Sequence, residues 1–177
     1  LLAAPGHPGL YRLDPGPLRD VLNQAIAPDE RSRLARSVAR ALERRGGSSR
    51  PENAPLLAEL FDLGGDRERV LVYLPAAARA LATRGDRSGA LRLWRRLEEL
   101  APDDEVASRA RAEVADLLLA LGEVALAARA YRERLLDRDV RSDPHAAVAA
   151  RLGLAEASRR TGDLDAADPA AREAEEG

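Results

Sequence analysis

Arginine and carboxylate are the groups with which this chain can do chemistry, and their spacing points to recognition rather than bond breaking. Every one of the 28 basic residues is arginine, set against 30 acidic ones for a net charge of −2. A guanidinium stays charged and forks onto carboxylates, so it binds anions but does not shuttle protons. Lysine is missing, and with it the Gly-rich, lysine-bearing loop that grips nucleotide phosphates. The absence of cysteine excludes disulfides, thiol chemistry and cysteine metal sites. His7 and His145 stand 138 residues apart on loop-like segments, neither with a partner at ligand spacing, and read as surface histidines. The acidic groups Asp103-Asp104-Glu105 and Glu173, Glu175 and Glu176 fall at helix ends, where the helix dipole and solvent account for them. No catalytic, cofactor or metal site is therefore expected in these residues. What remains is arginine pairs such as Arg95-Arg96 and Arg159-Arg160, to be read as solvated faces or as carboxylate-binding groups.

The elements that would carry such groups are helices. Hydrophobic residues make up 45% of the 177 and aromatics only 3%, so a globular core must be built mainly from alanine and leucine. No apolar run approaches the roughly 20 residues needed to span a bilayer, and the net charge draws the chain neither to nucleic acid nor to an anionic membrane. The run Leu10-Tyr11-Arg12-Leu13 allows at most one short N-terminal strand. Pro17 suits the start of a helix through Leu18, Val21, Leu22, Ala25 and Ile26, and Pro28-Asp29-Glu30 opens another with Leu34, Val38, Ala41 and Leu42 on its apolar face. Residues 1–46 thus read as an N-terminal helical segment, 47–55 as a linker or long loop, and 56–177 as helical repeats. Pro75 predicts a kink or break at Tyr73-Leu74.

One pattern returns four times: Gly65-Asp66, Gly85-Asp86, Gly122-Glu123 and Gly162-Asp163. The fifth residue after each glycine is small or β-branched (Val70, Ala90, Ala127, Ala167), and the ninth is Leu74, Trp94, Tyr131 or Ala171. Apolar residues at helical period flank each glycine, as in Val106, Ala110, Val114, Leu117 and Leu118 before Gly122, and Ala149, Leu152 and Ala155 before Gly162. A glycine in the left-handed conformation closes one helix, the acidic residue opens the next, and the small residue lets the pair approach closely.

These residues resemble the tetratricopeptide repeat (TPR). Ala77, Ala78, Leu81, Gly85, Ala90, Trp94, Leu97 and Pro102 match its spacing best, and units fall near 71–104, 108–141 and 148–177. From Gly85 to Gly122 and from Gly122 to Gly162 the repeats are 37 and 40 residues apart, longer than the ideal of about 34. The resemblance implies an all-α, antiparallel helix-pair solenoid with a right-handed superhelix. First helices of such pairs line a concave face, which would bring Arg79, Arg109, Asp116, Glu156 and Arg159 towards one groove, with Trp94 and Tyr131 in the inter-helix core and Arg96 on the outer face.

A second resemblance covers the first 100 residues. Leu10-Tyr11-Arg12-Leu13, Leu18 to Leu22 and Glu30 to Ala35, leading to Gly64-Gly65-Asp66 and Ala76-Ala77-Ala78, look like the segment after the winged helix of bacterial STAND-type signalling ATPases. Together the resemblances imply a non-enzymatic protein-interaction, scaffold or sensor module of a cytoplasmic bacterial signalling protein. Its partner would be a protein or peptide, including another domain of the same protein. The alternative is the tail of a STAND ATPase or Ser/Thr kinase fusion whose nucleotide chemistry lies outside this chain. The absence of lysine reads as the mark of a GC-rich bacterial genome. The absence of methionine, and of a polar capping helix before Gly177, leads us to expect a piece of a longer protein.

Overall fold

In the computed structural model, residues 2–3, 11–12, 26–46 and 50–162 are described. The chain is all-α in class. Its described helices are α1 (Pro28–Arg44), α2 (Ala54–Leu63), α3 (Arg67–Thr83), α4 (Arg87–Leu100), α5 (Asp104–Ala120), α6 (Val124–Arg134), the short α7 (Arg138–Ser142) and α8 (Pro144–Thr161). Strand β1 (Leu2–Ala3) pairs antiparallel with β2 (Tyr11–Arg12). The single strand expected there thus has a partner, because an extended segment needs one for its backbone N–H and C=O groups. The expected helix from Pro17 lies almost wholly outside the described residues, as do His7, Ala167, Ala171 and the acidic cluster near the C-terminus.

Consecutive helices pack on one another from α1 to α6, and α6 then packs on α8. The turns follow one design. Gly65, Gly85, Gly122 and Gly162 all have φ between 69° and 86°, the left-handed region that ends a helix at little cost only with glycine. The residue after the first two glycines caps the next helix: Asp66 accepts from the Arg69 N–H at 3.4 Å, and Asp86 from the Gly89 N–H at 2.7 Å. Asp103 and Asp143 cap α5 and α8 in the same way. Glu123 makes no such bond; its extra methylene places the carboxylate too far from its own helix start.

The fifth-and-ninth pattern marks the core. Val70, Ala90 and Ala127 are at most 1% exposed, and Leu74, Trp94 and Tyr131 at most 3%. Phe61 stacks on Tyr73 with ring centroids 5.7 Å apart, joining α2 to α3.

Several local expectations are corrected. Pro75 lies inside one uninterrupted helix, so of the kink or break expected at Tyr73-Leu74 the break does not occur. The helix interior tolerates it because the flanking Tyr73, Leu74, Ala77 and Ala78 are all buried against neighbours. Helix α1 buries Ala35 and Ala39, leaving Leu34 and Val38 about half exposed. There α1 meets Gly64 of α2's C-terminus so closely that a Cβ on Gly64 would stand 3.0 Å from the Arg36 Cβ, and only a small-residue face fits. In α8 the buried face is Ala150, Leu154 and Ala157, while Leu152 is 53% exposed. The stretch read as linker is helical from Pro51: a 3₁₀ turn, Pro51–Asn53, runs directly into α2.

Candidate binding groove

A concavity of about 540 Å³ lies between α3 and α5, with α4 contributing Trp94 and Leu97. Helix α3 presents Leu71, Pro75 and Arg79, four residues apart. Helix α5 presents Arg109, Ala112, Glu113 and Asp116, spaced three, one and three, so one face of each helix lines the wall. Val106, the Pro102 loop and Arg134 of α6 complete it. The lining mixes apolar side chains such as Leu71, Pro75, Trp94 and Leu97 with five charged ones.

The charged groups are held in different ways. Arg79 lies over the Trp94 ring, its guanidinium carbon 5.6 Å from the ring centroid, a cation–π contact that fixes a long side chain at the groove wall. Asp116 accepts the Tyr131 hydroxyl at 2.6 Å. Burial, then that bond to Asp116, pushes the Tyr131 phenol well above its ordinary pKa. Arg109, 74% exposed, is ion-paired with Glu105 one turn back. Glu113 is half-buried, and burial raises its carboxyl pKa against the opposing pull of Arg79. It makes no hydrogen bond or ion pair with a described residue. The Nε of Arg134 is buried and has no hydrogen-bond partner. The groove therefore holds a partly desolvated acceptor at Glu113, while the Arg134 Nε is buried beneath its wall.

Of the residues singled out from sequence, Arg79, Arg109 and Asp116 meet at this groove. Glu156 and Arg159 do not line it; they lie on α8, where Glu156 accepts from Arg159 Nε and Nη2, both at 2.9 Å, and from Arg160 Nε at 2.6 Å. Those bonds, Arg159 first, hold the Glu156 carboxyl down at about 2. The expected row of arginines is thus cut short, because α8 contributes no residue to this groove. Arg96 is not a free outer-face residue: it donates to Asp62 of α2 at 2.9 Å and to Glu99 at 3.1 Å. Glu113 and Arg134 were not anticipated. The spacing of Arg109, Ala112, Glu113 and Asp116 carried the signal for Glu113, whereas Arg134 depends on how α6 lies against α5, which no local pattern records.

Among the described residues, no group of three or more His, Cys, Asp or Glu is arranged to hold a metal ion, and no helix is long and apolar enough to cross a membrane. Compared with known protein families and with curated proteins, the chain matches none.

Proposed function

We propose that the chain is a protein-interaction module, a TPR-like right-handed superhelix that captures an extended peptide segment of a partner in the α3–α5 groove. The observation that carries this reading is the groove itself, lined by apolar side chains and by five charged ones drawn from α3, α5 and α6. Peptide sites are commonly built this way, with apolar area supplying affinity and a few polar groups fixing orientation. An extended peptide offers main-chain N–H groups from which the half-buried Glu113 carboxylate at the groove wall can accept. Arg79, already stacked on Trp94, is available to fork onto an acidic side chain of the peptide. The superhelical arrangement is supported by the consecutive packing of helices, the repeated left-handed glycine turns and the buried fifth and ninth positions.

Such a module acts by presenting a surface, and no bond need be made or broken in it. A peptide-display selection on the immobilised protein provides the test. Enriched peptides should perturb the emission of Trp94, the single tryptophan, on titration. Enriched peptides that bind without changing Trp94 emission would place the binding surface elsewhere.

A further inference from the structure

A second concavity, about 230 Å³, opens on α1 among Arg33, Arg36, Ser37, Arg40 and Arg44. The arginines recur at intervals of three, four and four, forming one ridge along the helix. Two of the four are fixed in place. Arg36 donates from both Nε and Nη2 to the Gly64 carbonyl, the Nε bond at 2.9 Å, which leaves its Nη1 uncommitted. Arg40 is held by Asp66 at 3.3 Å. Arg33 and Arg44 make no hydrogen bond or ion pair with any described residue.

What sets this ridge apart is that four arginines of one helix line a single small hollow. Arg96, Arg109, Arg129, Arg159 and Arg160 each take a glutamate three or four residues away on their own helix. On α1 the acidic Asp29 and Glu30 stand one turn from Arg33 yet do not pair with it, and Glu43 is engaged by Arg69 and Tyr73. The hollow is lined by four guanidinium groups and no carboxylate, Asp66 being bonded to Arg40 from outside it. A serine hydroxyl stands among them, and the concavity is too small for a folded partner. Planar forks converging on a small polar hollow suit a tetrahedral oxyanion with several acceptor oxygens.

We propose that the α1 ridge is a binding site for a phosphate dianion, either free or carried on a phosphorylated side chain. Arg36 and Arg40 supply a preset floor, Ser37 a hydroxyl donor, and Arg33 and Arg44 close on the anion from either end. The site is separate from the α3–α5 groove and does not depend on it.

Arg33 and Arg44 make the test clean, since neither supports the fold through a bond of its own. The full chain is titrated with inorganic phosphate, and separately with a phosphoserine peptide and its unphosphorylated form, at ionic strength matched with chloride. Binding is followed by the NMR shifts of the arginine Nε–H groups. The expected result is saturable shifts at Arg33 and Arg44, and at least a tenfold loss of affinity in the Arg33→Ala/Arg44→Ala variant, whose melting temperature in chloride equals that of wild type. Saturation by inorganic phosphate identifies the free ion as sufficient; saturation by the phosphopeptide alone identifies a phosphorylated side chain as the ligand. Shifts that do not saturate with either probe, equal binding of the unphosphorylated peptide, or undiminished affinity in the double variant would overturn the proposal.

Discussion

Glu113 is the residue whose environment most needs an explanation, because a half-buried carboxylate without a hydrogen-bond partner costs stability. Burial raises its pKa in the fold above that in the unfolded chain. The fold therefore favours the protonated form, and stability is lost as pH rises through the raised value. Glu113→Gln should accordingly melt at a higher temperature than wild type at pH 7, with the gain shrinking as pH falls towards the ordinary carboxylate range of about 4. Thermal melts across that interval check it; a gain independent of pH would show that Glu113 is not desolvated. The tyrosines act at the other end of the scale. Burial, then the hydrogen bond to Glu43, raises Tyr73 to about 12. Its contribution is fully present below the unfolded value of about 10 and is lost as pH rises from there to about 12. Tyr73→Phe should flatten the fall in urea midpoint over that window, and an unchanged slope would contradict the assignment.

At the scale of the element, the contact of α6 with α8 shows how the ninth-position residue works. Tyr131 seats its ring over Gly153, where a Cβ would come within 2.3 Å of the ring. In an exposed helix, Gly→Ala gains about 1 kcal/mol. Here Gly153→Ala should instead destabilise, by about 1–3 kcal/mol, because the buried ring must move. Ala127→Leu, at a fully buried fifth position, should cost a similar amount, while Ala125→Leu, exposed on the same helix, should be nearly neutral. Chemical denaturation of the three variants measures this, and equal midpoints would show the packing register to be wrong.

The same contact marks how far the sequence could be read. The glycine turns, the aspartate caps and the buried small and large positions around Gly65, Gly85 and Gly122 were legible because each is a local rule. The face of α8 was not: in an alanine-rich helix both Leu152 and Leu154 offer plausible apolar stripes, and only the fit of Gly153 beneath Tyr131 decides between them. Helix α1 was misread for a related reason, its contact face being the small residues Ala35 and Ala39 rather than Leu34 and Val38. Arg79, Arg109 and Asp116 could be grouped from register alone. Arg159 could not be separated from them, because which helices wall the groove depends on how they pack and no local pattern records that.

At the scale of the whole molecule, the proposed peptide site is the one groove between α3 and α5. Ala112 lines that groove on α5, and a leucine there would fill space the ligand needs without entering the fully buried core. The decisive measurement is the affinity of a display-selected peptide for Ala112→Leu and for Ala125→Leu, both compared with wild type by calorimetry. The account predicts at least a tenfold loss for Ala112→Leu, about 1.4 kcal/mol of binding free energy, and no change for Ala125→Leu. Undiminished binding by a folded Ala112→Leu variant would contradict it.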